Sequence, residues 1–189
     1  MNKKQGLILV ITLQVVILVA MFVKAFYPLY VGTEILLKVE ARDPRDIFVG
    51  NYAVLNYKFN SLDLDSIKTD LDTLDLPKLN FGDKLYVELT KKGNYYEPMG
   101  LWKEKTNSKN ISQNTNQNMF MRVIVQDKPY GKTVSVKGGI ESYFTSKENA
   151  IALENQTSWA NRDSIVVEVA VKVAPDGAAR IAQVNTITN

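Results

Sequence analysis

The amino-acid sequence predicts a mainly β protein: a small antiparallel barrel or sandwich with one or two short helices, preceded by an N-terminal transmembrane helix. Three observations carry that class. An apolar run occupies the N-terminus, a series of short segments alternates apolar with polar residues, and glycine-containing turns stand ahead of several of those segments.

The apolar run GLILVITLQVVILVAMFV, residues 6–23, has Gln14 as its one strongly polar side chain and carries no charge. As a helix it covers about 27 Å, close to the hydrocarbon thickness of a bilayer. Lys3 and Lys4 precede it and Lys24 follows. The positive-inside rule then places residues 1–5 in the cytoplasm, residues 6–25 in the membrane as a signal-anchor, and residues 30–189 in a periplasmic or extracellular domain. Phe26, Tyr27 and Tyr30 suit an aromatic belt at the far interface. The rival reading is a signal peptide cleaved after Ala25. The run exceeds the about 7–15 apolar residues of such segments, which favours the anchor.

Six segments read as strands. TEILLKVE (33–40) puts Ile35, Leu37 and Val39 on one face, and YAVLNYKF (52–59) does the same with Ala53, Leu55, Tyr57 and Phe59. KLYVEL (84–89) alternates Leu85, Val87 and Leu89, while MFMRVIVQ (119–126) is apolar on both faces. SIVVEVAVKVA (164–174) alternates strictly, and Pro175-Asp176-Gly177 turns it into ARIAQVNTI (179–187), a terminal hairpin. VGNYAVLNY (49–57), FGDKLYVEL (81–89) and YGKTVSVKG (130–138) each set a glycine at a turn before such a strand.

Two helices are expected between the strands. Leu64, Ile67, Leu71 and Leu74 recur at helical spacing in residues 61–78, ended by Pro77, and Thr145 with Glu148 matches a capping box ahead of Ala150, Ile151 and Leu153. Residues 104–118 hold Ile111 as their one aliphatic side chain beside many Asn, Ser and Lys residues, and read as a long flexible loop.

The inventory limits the chemistry. The chain has no cysteine and no histidine, which removes disulfides, thiol nucleophiles, Cys/His zinc sites and histidine-based triads. Its net charge of +3 comes from the N-terminal segment, because setting Lys3, Lys4 and Lys24 aside leaves 20 basic against 20 acidic residues. A formally neutral domain offers no face for nucleic acid. The glycines form neither a phosphate loop nor a dinucleotide fingerprint, and no cofactor is expected. Asp63, Asp65, Asp70, Asp72 and Asp75 lack the spacing of a calcium loop and read as a solvated face.

Gly32-Thr-Glu-Ile-Leu-Leu-Lys-Val-Glu40, then Asp43-Pro44-Arg45-Asp46, then Gly50-Asn-Tyr-Ala-Val-Leu-Asn-Tyr57 resemble the GDYXXLXY family, membrane-anchored bacterial proteins of unassigned biochemical function. FGDKLYVEL, Tyr95-Tyr96-Glu97-Pro98, GGIESYF (138–144) and the Asp176-Gly177 hairpin continue the likeness over roughly residues 30–187. The resemblance implies a multi-pass membrane protein as partner. Where the family has Asp, this chain has Asn51, which serves a turn as well as Asp does and a charge-dependent site not at all. A looser likeness to bacterial signal peptidases concerns the fold alone, since no serine lies between residue 24 and Ser61 to act as their nucleophile.

Asp43, Arg45, Asp46, Gly50, Asn51, Tyr52, Leu55, Tyr57 and Tyr143 are the motif and partner-binding candidates. Asp43-Pro44-Arg45-Asp46 suits a type I turn presenting Arg45, and Tyr52 and Tyr57, with Leu55, suit strand faces, the two tyrosine hydroxyls lying at the rim. Ser135 with Lys137, two apart on one strand face, and the adjacent Ser146 and Lys147 are the nucleophile–base pairs the composition permits. The expected function is non-enzymatic association with a membrane or envelope protein, the bilayer being engaged through residues 6–23. A Ser/Lys-type hydrolase and a small-ligand-binding β-barrel are the alternatives.

Overall fold

The computed structural model describes residues 3–40, 52–72, 74–105, 118–146, 148–149, 152–153 and 165–188. One long helix, α1 (Lys3–Val31), leads into eleven strands among the described residues: β1 (Thr33–Lys38), β2 (Tyr52–Val54), β3 (Ser61–Asp63), β4 (Lys68–Thr69), β5 (Lys84–Lys92), β6 (Tyr95–Trp102), β7 (Asn118–Val125), β8 (Thr133–Lys137), β9 (Ser142–Phe144), β10 (Ile165–Val173) and β11 (Ala179–Thr188). The fold is mainly β, a curled sheet that makes a half-barrel.

Three pieces make up the half-barrel, with strand orders β1-β10-β11, β2-β9 and β3-β8-β7-β5-β6-β4. Every pairing is antiparallel except that of β4 with β6. Backbone bonds stitch the pieces together: Val39 bridges Tyr57, the Glu40 N–H donates to the Asn56 carbonyl, and the Leu55 N–H donates to the Glu141 carbonyl.

The period-2 pattern of the sequence is the inward face of this sheet. Ile35, Leu37, Val39, Ala53, Leu55, Tyr57, Phe59, Leu85, Val87, Leu89, Val167, Val169, Val171 and Val173 are all buried. On β7 the faces the sequence left open resolve as Met121, Val123 and Val125 inward.

The helix expected over residues 61–78 does not form. β3 pairs with β8, β4 pairs with β6, and only Leu76–Lys78 makes a short 3-10 turn. Local side-chain bonds compete with the helix here: Asp63 accepts the Asp65 N–H, and Thr69 accepts the Leu71 N–H. Leu62, Leu71 and Leu76 each reach the core separately, while Leu74 stays exposed. Where the second helix is expected, the described residues 148–149 and 152–153 are helical, and the Asn149 N–H is accepted by the Ser146 hydroxyl, one residue after the expected cap Thr145. β6 carries no clear alternation and was not among the expected strands. Residues 106–117 of the expected loop lie outside the described residues.

α1 is long and apolar enough to cross a membrane, its most apolar 18-residue stretch having a mean hydropathy of 2.9. It enters the sheet through Gly32 alone. The Gly32 N–H closes on the Pro28 carbonyl at 2.9 Å, and a Cβ at residue 32 would sit 2.3 Å from that oxygen and 3.0 Å from the Val173 nitrogen. Pro28 is buried, and Arg180 of β11 donates to the Ala25 carbonyl at 3.2 Å.

The expected terminal hairpin forms around Pro175-Asp176-Gly177. Its tip lies on β7, where the Arg122 N–H donates to the Gly177 carbonyl at 2.8 Å. Gly177 has φ +85°, and a Cβ there would meet the Arg122 nitrogen at 2.9 Å. Strain and collision therefore act together. Gly177→Ala is expected to destabilise the domain by roughly 2–3 kcal/mol, read as a lowered midpoint of thermal unfolding for the full chain in detergent.

Candidate functional site

After Val54 the chain leaves the β2–β9 ribbon and turns through residues 55–60 across the end of β8. Tyr57 and Phe59 stack inside the core with ring centroids 5.2 Å apart. Asn60 closes the turn, its Oδ1 accepting the Tyr57 N–H at 2.7 Å and its Nδ2 donating to the Val136 carbonyl at 2.9 Å.

Opposite this turn lies Gly138-Gly139-Ile140-Glu141. Glu141 folds back so that its carboxylate accepts the N–H groups of Gly138, Gly139 and Ile140 at 2.6, 2.9 and 3.0 Å. The same carboxylate accepts Asn60 Nδ2 at 3.0 Å, which ties the two turns together. Gly139 has φ +79°, a conformation glycine adopts without strain. Tyr57 completes the lock by donating its hydroxyl to the Ile140 carbonyl at 3.1 Å. Burial, reinforced by the nearby Glu141 charge, pushes the Tyr57 phenol well above its ordinary value.

Beside the lock is a groove of about 710 Å³, bounded by Val54–Asn56 on one side and by β7 and β8 on the other. Its polar lining includes Asn56, Gln126, Asp127, Ser135, Lys137 and Ser142. Such a lining offers amide and hydroxyl hydrogen bonds to a small polar molecule. Ser135 and Lys137 share a face as the sequence implies, but no hydrogen bond joins them and Lys137 is exposed. Lys147 lies outside the described residues. No cluster of acidic side chains suited to a metal ion occurs among the described residues.

A second buried carboxylate sits deeper in the sheet. Glu88 of β5 accepts Trp102 Nε1 at 3.0 Å and Asn118 Nδ2 at 2.7 Å, joining β5, β6 and β7. Gly100 leaves room for this arrangement, since a Cβ there would stand 2.7 Å from Trp102 Nε1. Where the β5–β6 register shifts between Glu88 and Leu89 the extra residue is Met99 of β6, and β5 stays in unbroken register with β7. Val87 and Leu89 are buried on one face and Glu88 on the other, against Trp102 and Asn118.

The sequence candidates separate into three groups. Asp43, Arg45, Asp46, Gly50 and Asn51 lie outside the described residues. Leu55 and Tyr57 are core residues, 1% and 2% exposed. Tyr52 opens β2 opposite Phe144, and Tyr143 of β9 is half-buried against the core. The residues that sequence reasoning passed over are Asn60, Glu88, Asn118 and Glu141. Only Glu141 carried a local signal: an acidic residue two positions after a glycine pair, in position to accept the N–H groups of its own turn.

Two outcomes test this lock. Glu141→Gln turns an amide donor toward backbone donors and is expected to cost roughly 3 kcal/mol, measured by denaturant unfolding. Tyr57→Phe is expected to cost about 1 kcal/mol near neutrality. Because the folded-state pKa of Tyr57 is raised, its stabilisation is present below the ordinary value of 10.0 and lost as pH rises beyond it. The native chain should therefore lose stability more steeply than Tyr57→Phe in alkaline titration; parallel curves would refute this role of the hydroxyl.

A comparison with protein families matches residues 14–184 to the model described as GDYXXLXY protein. Comparisons with curated proteins and with solved structures return no match. The match spans the second half of α1 and nearly the whole sheet, and on that extent the chain belongs to the GDYXXLXY family.

Proposed function

We propose that this protein is a membrane-anchored, extracytoplasmic β domain that acts without catalysis, by associating with a membrane or envelope protein. The observation that carries this reading is the junction of helix and sheet. A helix of membrane-spanning length passes through one residue, Gly32, into β1, and its last turns are fastened by Pro28 burial and by the Arg180–Ala25 bond. Cleavage after Ala25 would cut the helix within the stretch that packs on β10 and β11. That packing supports the anchor over the cleaved signal, and Lys3 and Lys4 support a cytoplasmic N-terminus.

The β2–β9 ribbon is the surface best suited to docking. Phe144 is 77% exposed and stands opposite residue 52 in the strand register, next in sequence to the half-buried Tyr143. A large exposed aromatic on a short ribbon is a common anchor for a protein partner. The polar groove favours a second reading, capture of a small polar ligand, while the exposed Lys137 is poorly placed as the desolvated base a Ser/Lys hydrolase requires.

A photo-crosslinking residue at Phe144, in the native membrane, is expected to capture a membrane or envelope protein in near-stoichiometric yield. The same residue at Asn94, in the β5–β6 turn, should not. Equal or absent capture at both positions would overturn the association reading and leave the groove as the functional site.

A further inference from the structure

Gln14 stands at the middle of the apolar run, and its side chain is exposed and unbonded among the described residues. In water this amide is solvated. In hydrocarbon it has no partner on its own helix, because the backbone groups around residue 14 are taken up by the helical ladder, and an unpaired buried amide is costly.

Its place around the helix is informative. At about 100° per residue, Leu7, Val10, Ile17 and Met21 fall within about 60° of Gln14 and form one stripe with it. Carried upward, the same stripe passes through Ala25, Pro28 and Gly32, which are half-buried or buried at the base of the sheet. Arg180 bonds to the Ala25 carbonyl, and Gly32 abuts Val173. The protein's own domain thus roofs the face that carries Gln14. Phe26, Tyr27 and Tyr30 lie around the remaining faces and are exposed.

We propose that the Gln14 stripe is the docking face for a transmembrane helix of a different protein, one that carries a hydrogen-bonding side chain at mid-bilayer and ends at the interface beneath β10 and β11. The proposal rests on the membrane-anchored reading above. A second copy of this chain is a poor occupant. Its helix would also have to continue as far as residue 31, through the level where β11 and Arg180 already cover the stripe. A helix closed by a short loop at the membrane surface, as in a multi-pass protein, meets both conditions. Amide pairing between helices then supplies register, and the flat aliphatic stripe supplies packing.

The test places a photo-crosslinking residue at Val10, Ile17 or Met21 on the stripe, and at Thr12, Val16 or Val23 on the opposite face, in the full chain in its native membrane. Stripe probes are expected to give a discrete adduct with a multi-pass membrane protein, and opposite-face probes to give lipid adducts. Gln14→Leu should lower the stripe adduct by about three- to thirty-fold, and Gln14→Asn should retain most of it. A homodimeric adduct from the stripe, or lipid adducts from both faces, would overturn the proposal. Extraction with alkaline carbonate separates the two levels: a chain that stays in the membrane yet gives no stripe adduct refutes this inference alone. A chain released by carbonate refutes the anchor on which it rests.

Discussion

The Glu141 carboxylate holds together the two turns that lie between the β2–β9 and β3–β8 pairings. It accepts three consecutive backbone N–H groups of its own turn and the side-chain amide of Asn60. Through Asn60 the turn at 57–60 is set against the end of β8, and through the Glu141 carbonyl the strand end at Leu55 is held in line. Tyr57 can then lie flat on Phe59 inside the core with its hydroxyl satisfied by Ile140. A buried carboxylate is expensive without partners. Here three partners are N–H groups of its own turn and the fourth is the Asn60 amide, itself held by the Tyr57 N–H and the Val136 carbonyl, so the charge stiffens the corner.

The second organising constraint is the absence of a linker between helix and sheet. Gly32 has no space for a Cβ, Pro28 is buried, and Arg180 reaches back to Ala25. Helix and domain therefore present their faces in a fixed relation.

How much of this was legible in the sequence follows from the range of the interactions. Alternation in TEILLKVE, KLYVEL and SIVVEVAVKVA is a local consequence of burying one face, and it reported the inward residues of β1, β5 and β10 correctly. The Pro175-Asp176-Gly177 hairpin was equally local. In residues 61–78 the apolar spacing was helical, yet β8 and β6 recruited the segment as two short strands. Glu88 lies on the strand face opposite Leu85, Val87 and Leu89, where alternation leaves a polar residue, and Trp102 and Asn118 of the neighbouring strands bury it there.

The sequence by itself determined the apolar helix, the predominance of strands, the lack of thiol and imidazole chemistry, and the family. These depend on composition and on spacing within a few residues. Tertiary structure decided that Leu55 and Tyr57 of the family motif serve the core, that Glu141 and Asn60 form the lock, and that the Gln14 stripe lies beneath the domain. Each of these depends on contacts between residues far apart in the chain, such as Asn60 with Glu141 or Ala25 with Arg180, and no local pattern encodes which distant donor a carboxylate or carbonyl will meet.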